Sequence, residues 1–246
     1  MTVTLRKAAA VCGLSLLAAA AHANLVVNGS FELTAIPPTG PFSVVNPTGW
    51  SGGGNLTFVN APGTADDRER SPGVPADLPV YGPFPDTSPD GGNFVAADGD
   101  PDPSLRDAFS QTISGLTVGQ SYSLTFWQAA GQQLDHFGPT TERWQVTFGL
   151  QSRLSTQFSL PQAEVNQPPI GPWTRETMQF IASATSQTLT FLAVGTPSGA
   201  PPVSFLDGVS MMATPVPEPA TLWLSGLGAL VLGAAARLRQ PAAETA

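Results

Sequence analysis

Tryptophan rings with amide neighbours are the first side chains in this sequence that could do chemistry. Four tryptophans lie between the two ends of the chain: Trp50, Trp127, Trp144 and Trp173. The nearby amides are Asn55, Gln128, Gln132 and Gln133. An exposed aromatic face beside amide groups can stack on a sugar ring and hydrogen-bond its hydroxyls. Trp50 and Trp127 are our candidate ligand-binding residues, with core packing as the alternative for any single tryptophan.

Groups for catalysis are sparse. Apart from the N-terminal segment, the chain has one histidine, His136, and no thiol, because the only cysteine is Cys12. Asp135 and His136 could be imagined with a serine as a triad. However, no Gly-x-Ser-x-Gly sequence is present, and a zinc site would need more histidine or cysteine ligands. A carboxylate pair for glycoside hydrolysis stays open. We predict no catalytic residues and no enzyme.

The charge balance narrows the choice of partner. Between Asn24 and Pro215 the chain has six arginines, sixteen acidic residues and no lysine. An acidic surface argues against nucleic acid or anionic lipid as a partner. It suits divalent cations or neutral glycans. The alternative is the ordinary polar surface of an exported β-protein.

The N-terminal sequence predicts a signal peptide over residues 1–23. Arg6 and Lys7 form a basic start, residues 8–20 are apolar, and Ala21-His22-Ala23 is a small-x-small cleavage site. The mature chain is then expected to begin at Asn24, with a retained N-terminal anchor as the alternative. The remaining domain has no cysteine and must be held together by its core, with or without a metal ion.

The C-terminal segment, residues 214–246, has the layout of a sorting signal. Pro217, Glu218 and Pro219 precede an apolar run over residues 220–236, and Arg237 and Arg239 follow it. The run would span roughly 26 Å as a helix, enough for a bilayer core. The arginines place the short tail in the cytoplasm by the positive-inside rule. A buried helix of a soluble domain is the alternative.

This layout resembles the PEP-CTERM signal of Gram-negative bacteria that make extracellular polysaccharide. The resemblance implies export across the inner membrane, anchoring by the C-terminal helix, and processing near the Pro-Glu-Pro by an exosortase-type protease. It also implies a final location at the cell surface or in the extracellular matrix.

Period-2 alternation dominates the region between the two signals. Residues 121–127 place Tyr122, Leu124 and Phe126 on one face and Trp127 on the other. Similar alternation over 143–148 puts Trp144 with the apolar residues. Further strands are predicted over 177–181, 188–194 and 203–209, with Gly and Pro turns between them. Many short strands predict one β-sandwich or jelly-roll domain over residues 24–213.

One stretch departs from this pattern. Residues 60–103 contain nine prolines, which preclude a continuous central strand through most of the segment. Residues 92–97 are its one good strand candidate. The remainder is expected to be a long surface excursion, either ordered by packing or mobile.

Six short motifs, in order, resemble galactose-binding-like jelly rolls, including xylan- and glucan-binding carbohydrate-binding modules. They also resemble cell-wall proteins of unknown function. The first motif is predicted to be the opening strand, and the last departs from the family in having Gly208 where a second Asp is frequent. The motifs are residues 24–32 (NLVVNGSFE), 47–50 (PTGW), 91–95 (GGNFV), 109–113 (FSQTI), 116–126 and 205–210 (FLDGVS).

The resemblance implies a structural calcium ion between the first and last strands. The matching acids are Glu32 and Asp207. Two carboxylates with backbone carbonyls and water would supply the six to eight oxygens that Ca²⁺ takes. The alternative is that Glu32 ends a strand and Asp207 makes a turn. Asp98, Asp100 and Asp102 form a second oxygen-rich stretch, either a loose calcium loop or a solvated turn.

Three hypotheses follow. The first is an exported, non-catalytic protein that binds extracellular polysaccharide. The second is a structural or adhesive matrix protein without a specific sugar ligand. The third is a glycan-active hydrolase.

Overall fold

The described residues form eleven β-strands, as the alternating sequence predicts. The computed structural model describes residues 23–38, 47–53, 57–66, 79–106, 108–162, 169–215 and 226. Apart from residues 23 and 226, the predicted signal peptide and transmembrane span lie outside these ranges, as do Pro217, Glu218, Pro219, Arg237 and Arg239. Within these ranges no helix is long and apolar enough to cross a membrane. The strands are β1 (Ser51–Gly52), β2 (Thr57–Asn60), β3 (Phe94–Asp98), β4 (Phe109–Ser114), β5 (Ser121–Gln132), β6 (Thr140–Phe148), β7 (Gln151–Leu154), β8 (Phe158–Leu160), β9 (Ile170–Ile181), β10 (Ser186–Thr196) and β11 (Pro202–Ala213).

The strands build two antiparallel sheets. The six-stranded sheet has the order β1-β4-β10-β6-β7, and β8 also pairs with β6. The five-stranded sheet has the order β2-β3-β11-β5-β9. Most neighbouring strands are distant in sequence, so the sheets are built mainly by long-range strand pairing and not by simple hairpins. The predicted all-β sandwich is confirmed.

The core lies between the sheets and is rich in aromatic rings. The Phe191 ring lies 5.8 Å from that of Phe109, 5.4 Å from Phe126 and 5.9 Å from Trp144, measured between centroids. Phe126 and Trp144 meet Phe191 edge-on, which is a favoured aromatic geometry. Trp144 is fully buried. The alternation of β5 and β6 therefore places the predicted residues inward.

A second apolar cluster lies on the opposite side of the five-stranded sheet. The excursion, residues 61–93, folds back over this side in its described parts. Val80 and Phe84 of the excursion pack with Phe94 and Phe205 of the sheet. The Phe84 and Phe205 ring centroids are 4.3 Å apart. The described parts of the excursion are thus ordered by packing, one of the two expected outcomes.

The opening segment is not a strand, so that prediction is wrong. Its backbone is paired largely by side chains instead of by a neighbouring ladder. Gln111 accepts the N–H of Val27 through Oε1 (2.8 Å) and donates to the Val27 carbonyl through Nε2 (2.8 Å). Asn24 Oδ1 accepts the N–H of Met211 (2.9 Å), and Leu25 N–H donates to the Met211 carbonyl (2.9 Å). The segment still joins the two sheets.

Candidate functional site

The outer side of the five-stranded sheet is partly covered by the excursion and partly open. We call the open part the open face; its residues come from β5, β9 and β11. Trp127 is paired with Arg175, and Thr125 is paired with both Thr177 and Ser210. Directly paired residues of antiparallel strands project from the same side of a sheet. The open face therefore includes Thr125, Trp127, Arg175, Thr177 and Ser210.

Trp127 lies at the boundary between the open and covered parts and is half-buried. Gly208, in the β-bulge of β11, makes room for its ring. Gly208 has a φ of +58°, and a Cβ there would lie 2.9 Å from Trp127 Cδ1 and 3.1 Å from the Asp90 carboxyl carbon. A second Asp at position 208 would therefore crowd Trp127 and adopt a left-handed conformation. The departure from the family motif thus leaves the indole partly accessible.

The open face has the groups that sugar recognition needs. Trp127 supplies an aromatic surface, and Thr125, Thr177 and Ser210 supply hydroxyls. Arg175 is exposed and supplies several N–H donors. Hydroxyl and guanidinium groups beside an apolar ring match the mixture of C–H faces and hydroxyls on a pyranose.

Trp50 does not belong to this site, which corrects its assignment as a ligand-binding residue. Its side chain is 6% exposed and packs 5.4 Å from the Phe31 ring. Its Nε1 donates to the Asn28 carbonyl (3.1 Å), so the polar edge is also occupied. A ring enclosed on its faces cannot stack on a sugar. Trp144 and Trp173 are packing residues too, the latter 5.6 Å from the Phe94 ring.

Beside the open face, a turn over residues 88–93 gathers carboxylates from distant parts of the chain. Ser88 Oγ donates to Asp207 Oδ2, and Asp90 N–H donates to Ser88 Oγ (2.9 Å). Asn93 N–H donates to Glu32 Oε1 (2.7 Å). The turn thus contacts the two acids predicted to bind calcium. Sequence reasoning missed Asp90, although Ser88-Pro89-Asp90-Gly91-Gly92 is a clear turn signal directly before a strand.

Electrostatics at this turn favour a cation. Asp207 is fully buried, and its burial, with the nearby charges of Asp90 and Glu32, raises its pKa to about 8, despite hydrogen bonds from Ser88 and Gly208. Such a carboxylate lacks a compensating positive charge. Among the described residues no three Asp, Glu, His or Cys side chains are spaced to hold a metal ion by themselves. A calcium ion here would also need backbone carbonyls and water.

The second acidic stretch forms a ladder of local turns. Asp98 Oδ1 accepts the N–H of Asp100, Asp100 Oδ1 that of Asp102, and Asp102 Oδ1 that of Ser104, each at 2.8 Å. Asp100 Oδ2 also accepts the N–H of Gly199 (2.8 Å). Each carboxylate is engaged by its own backbone. The geometry fits the turn reading of this stretch.

The one histidine of the domain has a structural environment. His136 Nδ1 lies 3.2 Å from the Leu134 carbonyl, and the Tyr81 hydroxyl donates to the His136 carbonyl (3.0 Å). Asp135 has a φ of +66°, typical of a tight turn. Within the described chain no serine hydroxyl is hydrogen-bonded to this imidazole, so no triad is formed there.

A polar groove of 460 Å³ lies on the side of the sandwich, between β7 and β9. Arg153 Nε donates to the Gln179 carbonyl (2.7 Å), and its guanidinium lies 5.4 Å from the centre of the Phe180 ring. Gln151 pairs with both backbone groups of Ile181. These side chains occupy backbone groups at the free edge of β9, which protects that edge from pairing with another chain.

Several solved structures are similar to this chain. A carbohydrate-binding module, TmCBM61 in complex with β-1,4-galactotriose, is 17% identical with a TM-score of 0.38, covering 78% of this chain and 99% of its own. The CBM22-1 xylan-binding domain of Paenibacillus barcinonensis Xyn10C is 12% identical with a TM-score of 0.36, covering 80% and 97%. The K1 cleaved adhesin domain of Lys-gingipain from Porphyromonas gingivalis W83 is 14% identical with a TM-score of 0.42, covering 76% and 96%.

At these scores the structural similarities carry no functional information for this chain. No curated protein matches it in sequence. The C-terminal signal, in contrast, is matched directly and includes all five predicted sorting residues. Residues 215–240 match the family model of the PEP-CTERM protein-sorting motif, which confirms the predicted sorting signal.

Proposed function

We propose that this chain is an exported, surface-anchored, non-catalytic protein that binds extracellular polysaccharide through the open face. The sorting motif supports export, transient anchoring by residues 220–236 and processing by an exosortase-type protease. The final location is then the cell surface or extracellular matrix of a Gram-negative bacterium. The open face supplies the binding function at that location.

The observation that carries this proposal is the position of Trp127. A tryptophan on the outer side of a sheet is normally buried by another segment or by a ligand, because its apolar surface is large. The excursion covers the neighbouring part of the sheet, and its Asp90 and Trp127 both border Gly208. The residues paired around Trp127 carry hydroxyl groups and an exposed arginine. A partly accessible indole in a polar surround suits a ligand that is amphipathic, and a sugar ring is such a ligand.

Two other functions remain distinguishable. A structural matrix protein would use the sandwich for bulk and calcium bridging, and would not depend on Trp127. A glycan-active hydrolase would release reducing sugar and would lose that activity when one carboxylate is changed to an amide. The geometry around His136 offers no support for the hydrolase.

Retention on polysaccharide tests the proposal. The full chain, purified in detergent, is passed over the producing organism's own extracellular polysaccharide, with calcium and with chelator. We expect saturable retention that free oligosaccharide competes away. Trp127→Ala should weaken the affinity at least about tenfold, equivalent to about 1.4 kcal/mol, because the stacking surface is lost.

Phe137→Ala is the matched control. Phe137 is also aromatic but is 69% exposed, in the loop between β5 and β6. Its removal should leave retention unchanged. Equal loss in both variants would mean non-specific adhesion, and retention that Trp127→Ala does not change would contradict the site.

We also propose that Glu32 and Asp207 hold a structural calcium ion, with backbone carbonyls and water completing its coordination shell. The support is a buried Asp207 surrounded by other carboxylates at a turn. The ion would join the opening segment, the 88–93 turn and β11, and so would hold Asp90 and Gly208 in place beside Trp127. Calcium would therefore act on glycan binding indirectly.

A further inference from the structure

A second carboxylate is buried inside the sandwich, away from both the open face and the 88–93 turn. Glu142 on β6 is fully buried, and neither of its carboxylate oxygens has a hydrogen-bond partner among the described residues. The strict alternation of β6 points it inward with Trp144 and points Arg143 the other way. Glu142 therefore has no cation from its own strand.

Other unpartnered oxygens lie close to Glu142 in the fold. Thr140 is two residues away on the same face of β6, and its buried hydroxyl has no hydrogen-bond partner among the described residues. Gln132 ends β5 in the opposite sheet. Its Nε2 donates to the Gly138 carbonyl (3.2 Å), which leaves its buried Oε1 without a described partner.

The two sheets approach each other at this layer. Gln132 is paired directly with Pro202, and Glu142 is paired directly with Gly195. A Cβ on Gly195 would lie 2.5 Å from Pro202 Cγ. Gly99 bridges Pro202 and Gly195: its N–H donates to the Pro202 carbonyl (2.8 Å), and its carbonyl accepts the N–H of Gly195 (2.6 Å). The oxygens of Gln132 and Glu142 thus enter the interior at the same layer from opposite sheets.

Without a bound cation, the Glu142 carboxyl is unfavourable in this position whether it is ionised or protonated. As an ion it would lose its hydration without gaining a compensating partner. Protonation removes the charge and gives Glu142 one donor besides that of the Thr140 hydroxyl, but Gln132 Oε1 and the remaining lone pairs of Glu142 still compete for these two donors. The four unpartnered atoms of Gln132, Thr140 and Glu142 are all oxygens, and two of them belong to a carboxylate, which matches the ligand preference of a hard cation.

We propose that Glu142, Thr140 and Gln132 bind a calcium ion inside the sandwich, separate from the Glu32 and Asp207 site. The carboxylate, hydroxyl and amide supply up to four oxygens, and water or backbone carbonyls complete the shell. A site with one carboxylate is weak, comparable to extracellular calcium modules with dissociation constants of about 10⁻⁴–10⁻³ M. The ion ties the two sheets together at the end opposite the one where the chain continues into the sorting tail.

Calcium stoichiometry tests the proposal. The full chain in detergent, carrying Asp207→Asn so that the turn site is weakened, is stripped with chelator and titrated with CaCl₂ by equilibrium dialysis. We expect about one calcium ion per chain with a dissociation constant near 10⁻³ M. Adding Glu142→Gln should abolish this binding. Asp135→Asn, at an exposed turn where Asn is well tolerated, is the control and should bind as before.

A second readout guards against a variant that does not fold. Terbium replaces calcium, and its emission is excited through tryptophan; Trp144 is two residues from Glu142 on the same face of β6. Thr140→Val, which keeps the shape of the side chain, should reduce this emission at a given terbium concentration. Unchanged calcium binding in folded Glu142→Gln, or unchanged emission in Thr140→Val, would overturn the site and leave Glu142 as a buried neutral acid.

Discussion

Single glutamine side chains replace strand neighbours at several points of this domain. Gln111 pairs with both backbone groups of Val27, Gln151 with both of Ile181, and Gln120 donates to the Thr214 carbonyl (2.8 Å). An amide side chain carries both a donor and an acceptor, so it can satisfy a backbone N–H and C=O together. In a domain without lysine, these amides hold free edges and chain ends without adding charge.

Asp98 is expected to make stability depend on pH. Its burial raises its pKa to about 6 from 3.8, against the Asp100 N–H hydrogen bond that lowers it. The folded state binds the Asp98 proton more tightly than the unfolded state does. The stabilisation that results is complete below about pH 4 and is lost as the pH rises through 6. In calcium-free urea unfolding, wild type should lose up to about 3 kcal/mol between pH 4 and 7 that Asp98→Asn does not lose.

Asp102→Asn is the control for Asp98, because its side chain makes the same kind of turn at an exposed position. That variant should keep the wild-type pH slope. Burial also raises the pKa values of Glu142 and Asp207 to about 8. Both residues are present in wild type and in each variant, so their effect on the pH slope is the same in every chain and cancels in the comparison. A wild-type slope equal to that of Asp98→Asn would show that Asp98 is ionised in the folded protein throughout this range.

Elements with simple alternation could be predicted from the sequence, and those without it could not. β5 and β6 follow period 2, so the burial of Phe126 and Trp144 and the outward direction of Trp127 were correct. The apolar residues of the opening segment predict a strand that the structure does not contain. Its actual partner is the side chain of Gln111, and a sequence pattern does not show which side chain will replace a ladder.

The candidate site divides in the same way. Trp127 was found because its direction follows from its own strand. The burial of Trp50 depends on Phe31 and Phe109 closing over it from other segments. Asp90 comes close to Asp207, 117 residues further along the chain, only through the path of the excursion, and no local signal encodes that path.

Gln111 is expected to control the opening segment as an element. Gln111→Leu would fill the same space but leave the N–H and carbonyl of Val27, and the Gly49 carbonyl, without their partner. Buried or partly buried groups left unsatisfied cost about 1–3 kcal/mol each. Because Val27 is 60% exposed, water can replace part of the lost hydrogen bonding, and we expect a loss of about 2–4 kcal/mol in the free energy of unfolding, with amide exchange rising first at Val27. Thr112→Val, exposed on the same strand, should change stability by less than about 0.5 kcal/mol.

The two ends of the domain meet on one side of the molecule. Leu25 pairs with Met211, and Thr214 N–H donates to the Ser121 carbonyl (2.8 Å), directly before the sorting motif begins. Both ends of the described domain therefore lie on this side. The loop between β5 and β6 and the Glu142 layer lie at the other end. Cations at the 88–93 turn and at Glu142 would thus brace the sandwich at two separate places.

Calcium at the turn should stabilise the whole molecule, because Glu32 and Asp207 come from segments that are far apart in the chain and the 88–93 turn contacts both of them. With Glu142→Gln in every chain, only the turn site responds. At calcium about 100-fold above its dissociation constant, binding adds about 2.7 kcal/mol, or roughly 5–10 °C in melting temperature. Asp207→Asn should abolish this shift, since the buried ligand is lost, whereas Asp86→Asn, exposed on the excursion, should keep it.

In chelator, Asp207→Asn should melt at or above the parent chain at pH 8, because the amide removes a buried charge that only calcium compensates. A calcium shift of equal size in Asp207→Asn would mean that the ion binds elsewhere and that the turn is held by its hydrogen bonds alone.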